Sequence, residues 1–541
     1  MMKTVKWNRI LAVATIVFIS ALSAPGEDAK PGNLWETAQK DSALIRFSTL
    51  FTAQDMRDSL SSPEGIEKAI RWCKDTAVTR VYLETFRDGY TAERPTMLQA
   101  KQKMTDAGFL VSGCVTTTGL GRKSVNGWMF PCFTDQATLD KLKSVFEYTA
   151  GLFDEIMIDD FYATKCECED CVKARGERSW SEFRCELLAD ISRRCILDPA
   201  RKINPNVKII IKYPQWYEEF HERGYDVVGE TEMFDKIWVG TETRDPDSQQ
   251  WGRKTQYEAY FIMRWLGAIG GGKSGGGWFD PYGTSPATYL EQARQTLLAG
   301  AKEALLFCYG SLLRGNGADN ILALRKELPQ LFQLVEKIHG KAIYGPATVK
   351  PPNSDADGDR FVYDFVGMLG LPLVPSPTLP EDAKAAFLPF QILKDSTAAD
   401  QLKKWIKEEK PLLVTSHLRE KLPAALFEGA QNLQTLETPD DLWKLMDLPP
   451  ERIQSIRNTL LKPYGVEFEA PSRTALYLYE GGLVVIENFN DAEIEAKLTL
   501  DSKAVPQIDL TIPESKVVLE AKPGSANIRL PGRSLMVLQF P

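Results

Sequence analysis

The chain has 541 residues, 43% of them hydrophobic, which is enough for more than one core and argues for a folded, water-soluble protein. Its formal charge of −8, about −11 once three basic residues near the start are set aside, gives no general surface for nucleic acid or anionic membrane. A neutral or small partner fits this balance better.

In MMKTVKWNRILAVATIVFISALSAPGEDAK, Lys3, Lys6 and Arg9 precede an apolar run from Ile10 to about Leu22 and then small residues. This is the pattern of a secretory signal over residues 1–23, with cleavage near Ser23, too short for a stable membrane anchor. The mature protein is expected to be secreted or periplasmic.

Eight apolar, strand-like runs follow: ALIRFSTLF, VTRVYLETF, FLVSGCVTT, EIMIDDFYA, VKIIIKYP, FDKIWVGTE, AYFIMRWLG and EALLFCYGS. Segments of crossover length separate them, so residues 24–345 are expected to form a (β/α)8 TIM barrel with ligands beyond the strand C-termini. Ser62 before Pro63 marks one helix start and Thr134 another. GGGKSGGG lacks the spacing of a phosphate loop and is expected to form a mobile loop over the mouth. Near AIYGPATVKPPNSDADGDR the text changes to a linker. A smaller α/β domain is expected over 346–450 and a C-terminal β-domain of short alternating runs over 451–541. No dinucleotide fingerprint occurs, and no organic cofactor is expected. The histidines, His221, His339 and His417, are scattered and fit no zinc-hydrolase or Ser-His-acid pattern.

All nine cysteines lie within the first 310 residues, and three form the CxCxxC of DDFYATKCECEDC. Three thiolates can share a tetrahedral ion, and a closed structural site needs a fourth. Cys132 follows the third strand-like run, while Cys166, Cys168 and Cys171 follow the fourth, so adjacent barrel loops can bring them together around structural zinc. A disulfide with leftover thiols, or unrelated surface thiols, are the alternatives.

This arrangement resembles family 42 glycoside hydrolases, which carry a catalytic barrel, a trimerisation domain and a small β-domain. The resemblance covers nearly the whole mature chain through the cysteine set, GMLGLPLVPSP, LPFQILKD, LLVTSHL and VVIENFNDAEIEAKLTL. It implies zinc on the four cysteines, a sugar substrate and a possible homo-oligomer. The family's Asn-Glu at the end of strand four is Asp159-Asp160 here. Its strand-seven glutamate has no counterpart in AYFIMRWLG, which offers Arg264.

Cleaving a glycosidic bond requires one carboxylic acid to protonate the leaving oxygen and a second carboxylate to attack the sugar or activate water. Asp159 or Asp160 is expected to be the nucleophile or charge stabiliser, with Glu242, which ends FDKIWVGTE, as acid/base. In a regular strand only one of the two aspartates faces the site. Glu84, Lys212, Arg264 and Asp280 are candidate polar contacts to substrate, and Trp238 and Trp278 candidate rings for sugar faces. The function expected is hydrolysis of an exported oligosaccharide or glycoconjugate, with a carbohydrate-binding protein on an inactivated barrel as the alternative.

Overall fold

The computed structural model describes residues 31–541 apart from 128, 249–252 and 516. The expected signal segment lies outside the described residues. Among those residues no helix is long and apolar enough to cross a membrane.

Eight parallel strands form a closed ring: β1 (Arg46–Phe51), β2 (Val78–Arg87), β3 (Leu110–Val115), β4 (Glu155–Ile158), β5 (Lys208–Tyr213), β6 (Lys236–Gly240), β7 (Ser274–Phe279) and β8 (Glu303–Leu306). β1 pairs with both β2 and β8, which closes the barrel. Leu50, Tyr82, Cys114, Met157, Ile210, Trp238, Trp278 and Leu305 fill its interior. At the end away from the strand C-termini, Arg80 meets Glu155 at 2.6 Å and Glu303 at 3.6 Å.

Two expectations are corrected around strand seven. AYFIMRWLG is not a strand: it lies in the helix Glu258–Gly270, where Ala259, Tyr260, Phe261, Ile262, Met263, Trp265 and Leu266 are all buried. A helix that other elements cover on most sides is apolar nearly all round and loses the periodicity that would identify it. The real strand is SGGGWF, and the glycine run is turn and strand rather than a mobile loop. Its glycines answer to crowding. A Cβ on Gly276 would come within 2.4 Å of the Glu303 carbonyl oxygen and 2.9 Å of Trp238, and one on Gly275 within 2.5 Å of Trp238.

Helix starts follow local chemistry. Ser62 accepts a hydrogen bond from the Gly65 amide ahead of Pro63, as expected. At the second start the cap is Asp135, which accepts from Thr138, and Thr134 turns instead to the cysteines.

Beyond the barrel, β9 (Ala347–Val349), β10 (Val374–Ser376), β11 (Ala386–Leu388), β12 (Leu412–Thr415) and β13 (Leu433–Leu436) form a parallel sheet in the order β10-β9-β11-β12-β13. β9 therefore begins inside the segment read as a linker. The remaining strands make two antiparallel sheets of four. One contains β14 (Val466–Glu469), β17 (Ile494–Leu500), β19 (Val518–Lys522) and β20 (Ser525–Leu530). The other contains β15 (Thr474–Tyr479), β16 (Leu483–Asn488), β18 (Gln507–Ile512) and β21 (Ser534–Gln539).

The parallel sheet reaches back to the barrel loop that follows β5. There the buried Glu218 accepts from Lys350 at 2.7 Å and from Gln391 at 2.8 Å. Tyr217 donates to Asp364.

Candidate active site

The apolar strands stop abruptly at polar residues, and these converge at the C-terminal mouth of the barrel. Lys212, on β5, is buried and sits between acids from its two neighbouring strands. Its Nζ is 2.9 Å from Asp160 Oδ2, 2.7 Å from Glu242 Oε1 and 3.7 Å from Asp159 Oδ1. The same ammonium lies 4.3 Å from the centre of the Trp278 ring, which stacks on Phe307. Trp278 thus forms the floor beneath the charges.

β4 ends at Ile158, so strand alternation no longer governs the next two residues and both aspartates turn into the charged cluster. Asp159 is buried: it accepts from Arg87 at 2.6 Å, Thr116 at 3.0 Å and the Asp160 amide at 2.8 Å. These contacts fasten it and leave Asp160 as the more open carboxylate, with a side chain 15% exposed. The Asp160 carbonyl accepts from Tyr225 at 2.7 Å, which anchors the backbone at this point.

Proton affinities follow these surroundings. Burial lifts Asp160 to about 7 against the pull of Lys212, with Asp159 and Glu242 pushing the same way as burial. Burial also raises Glu242, opposed by Lys212 and reinforced by Asp280. The Asp159 carboxyl lies below its ordinary value; burial opposes this, and the charges of Arg87 and Lys212 outweigh it. One cation thus joins two carboxyl groups that tend to retain protons, beside a third that stays ionised.

Glu242 sits just beyond β6 with Oε2 buried and without a hydrogen-bond partner. Gly240 makes room for it, since a Cβ there would lie 2.3 Å from that oxygen. Asp280 ends the corrected β7, which supplies the strand-seven carboxylate that the misread helix lacked. Both Asp280 oxygens accept from Arg244, at 3.1 and 2.7 Å.

Other expected contacts are placed differently. Glu84 is fully buried behind Arg87, and its oxygens accept from the Ala53 amide, Arg87 and Thr116, so it braces the arginine rather than facing the mouth. Arg264 belongs to the helix Glu258–Gly270 on the outside of the barrel and donates to the Leu298 carbonyl at 2.6 Å, which removes it from the site. Trp238 points into the barrel interior, edge-on to Tyr82 at 5.8 Å, and Trp278, above it, is no more exposed, both being 2%, so neither ring is the open sugar platform expected. Arg87, Arg244 and Tyr225 were missed because their partners lie far along the chain or on the backbone.

The four cysteines converge as expected. Cys132 Sγ lies 3.7 Å from both Cys168 Sγ and Cys171 Sγ, and all four sulfurs lie within 4.8 Å of one another. Tetrahedral zinc with Zn–S bonds near 2.3 Å separates its sulfurs by about 3.8 Å, whereas a disulfide needs about 2.05 Å. The donor set therefore fits zinc. Arg122 donates to Cys132 and Cys168, and the Thr134 hydroxyl lies 3.2 Å from both Cys132 and Cys171.

Comparison with known proteins agrees with this architecture. Residues 32–328 match the family model described as "Probable glycosyl hydrolase, catalytic domain". An uncharacterized protein of Saccharolobus solfataricus is 29% identical over 362 residues, which is 61% of this chain and 60% of that protein. The match thus spans less than two thirds of the relative. An alpha-L-fucosidase isoenzyme 2 from Paenibacillus thiaminolyticus shares the fold at TM-score 0.63 and 10% identity, covering 92% of this chain and 99% of its own. A GH42 beta-galactosidase does so at TM-score 0.59 and 10% identity, covering 92% and 98%.

Proposed function

The chain belongs to the family of probable glycosyl hydrolases, and from that premise we propose that it hydrolyses an O-glycosidic bond in an oligosaccharide or glycoconjugate outside the cytoplasm. The observation that carries this reading is the bridge of Lys212 between Asp160 and Glu242. Two contacts to one nitrogen hold the facing oxygens no further apart than the sum of those contacts. That range includes the separation of about 5–5.5 Å at which a second carboxylate attacks the sugar directly.

In this proposal Glu242, raised by burial, protonates the leaving oxygen. The Asp160 carboxylate forms a bond to the anomeric carbon as the glycosidic C–O bond breaks. A proton on Glu242 removes one of the charges that raise Asp160, so the acid and the anion support each other across Lys212. Water then attacks the anomeric carbon, gives its proton to Glu242 and releases Asp160. Asp159 positions Asp160 through its amide, and Trp278 with Phe307 backs the floor.

A second reading pairs Asp160 as acid with Asp280 as nucleophile, because Asp280 ends β7. Arg244 holds both Asp280 oxygens, whereas Lys212 holds only one of Glu242's, the other being buried beside Gly240 without a donor, and this favours Glu242. Kinetics on a panel of α- and β-aryl glycosides tests the assignment. Glu242→Gln is expected to lose roughly 10²–10⁴ in kcat/KM while remaining folded. Azide added to Glu242→Ala should yield a glycosyl azide of retained configuration. Wild-type turnover in Glu242→Gln would eliminate its assigned role, and a larger loss in Asp280→Asn would favour the second pairing.

The cysteine set is proposed to hold structural zinc. With four sulfur donors the ion would leave no position for water, and its part would be to tie the loop after β3 to the loop that begins at Asp160. Self-association and export complete the proposal.

A further inference from the structure

The charge balance on the barrel floor restricts which sugar can sit there, an argument that rests on the hydrolase reading above. Three cations enter the floor, and carboxylates already engage each one. Arg87 lies 2.8 Å from Glu84 and 2.6 Å from Asp159. Lys212 serves Asp160 and Glu242, and Arg244 meets Asp280 at 2.7 Å. Five carboxyl groups therefore face three cations. Even with a proton on Glu242, as the hydrolase reading requires, four carboxylates face the three cations, so acceptors are in excess. A further anion placed here would lose its water beside like charges, with these cations already shared. Hydroxyl or ammonium groups would instead supply the donors that the floor lacks.

We propose that the ring seated on this floor is a neutral or amino-bearing sugar, and that uronic acids and sulfated sugars are excluded from it. The rule applies to that ring and not to the rest of a glycan. Further out, Lys165, Arg223 and Arg360 converge on Glu219, a local cluster with the opposite balance.

Calorimetric titration of the full chain at low salt with two matched series tests this: galactose, galactosamine and galacturonate, then glucose, glucosamine and glucuronate. In at least one series the neutral and amino sugars should bind, and the uronate should bind at least about tenfold more weakly. The gap should shrink in the Asp160→Asn/Glu242→Gln double variant, which removes the Asp160 charge, keeps position 242 neutral and leaves the outer cluster intact. A uronate that matches its neutral partner, a gap unchanged in the double variant, or binding by none of the six sugars would overturn the proposal. Turnover is read separately. Cleavage of an aryl uronide would sink the charge rule and leave the hydrolase standing, whereas amino-sugar binding without cleavage of any aryl glycoside would do the reverse.

Discussion

Asp160 carries a cost that its surroundings make measurable. Burial is the main reason its pKa rises to about 7 from an ordinary value near 3.8. Between those values the folded protein holds a proton that the unfolded chain has released. Stability from this group is therefore fully present below about pH 3.8 and is lost as pH rises through about 7. Asparagine reproduces the protonated shape without the charge, and Lys212 keeps Glu242 as a partner. Asp160→Asn should consequently be more stable than wild type at pH 8, by about 2 kcal/mol once screening through its partial exposure is allowed for. The gain should nearly vanish at pH 4. Urea denaturation at both pH values measures the difference, and a variant less stable than wild type at pH 8 would show that the native carboxylate is stabilised rather than strained. A gain in stability accompanied by lost turnover is the trade expected of a catalytic group.

At the scale of elements, the loop after β4 runs from Asp160 to the cysteine triplet in a few residues, and Cys132 ties it to the loop after β3. A closed four-sulfur site contributes directly to folding. Protein purified without chelator should therefore carry about one zinc per chain, and Cys168→Ser should lower that content. Chelation should reduce the melting temperature. Elemental analysis and melting curves check this, and zinc-free protein with all four thiols intact and an unchanged melting point would refute it. The cysteine set was readable because its spacing is itself the chemistry. Most barrel strands were readable because strands covered on both faces form short continuous apolar runs, as in VTRVYLETF and VKIIIKYP. β7 was not: the close approach of Trp238 and the β8 backbone demands glycine, which erases the strand signal. The true helix beside it is apolar on nearly every side and imitates a strand. Within the site, Asp159, Asp160, Lys212 and Glu242 showed as polar residues ending apolar runs. Arg87 did not, because its role depends on Asp159, 72 positions away. Trp238 and Trp278 are alike in sequence, and only the barrel's depth separates a core ring from a floor ring.

For the whole molecule, the question is whether the barrel can stand alone. Its outer helices are built as interior surface. Phe261 stacks on Tyr363 of the second domain at 4.4 Å, and Tyr260 packs on Tyr477 of the third at 4.8 Å. Polar groups are equally committed. Gln295 donates to Tyr477 at 2.7 Å, Arg533 reaches Glu291 at 3.2 Å, and the buried Glu218 depends on Lys350. Removing everything after residue 345 would expose these rings to water and take Lys350 and Arg533 away from Glu218 and Glu291. A fragment covering 24–345 is therefore expected to aggregate or to melt without a sharp transition, while the full chain unfolds in a single calorimetric step. A soluble, monomeric fragment with a cooperative transition near that of the full chain would show that the barrel is self-sufficient. The second domain would then serve the loop carrying Tyr225, and through it Asp160, rather than the stability of the barrel itself.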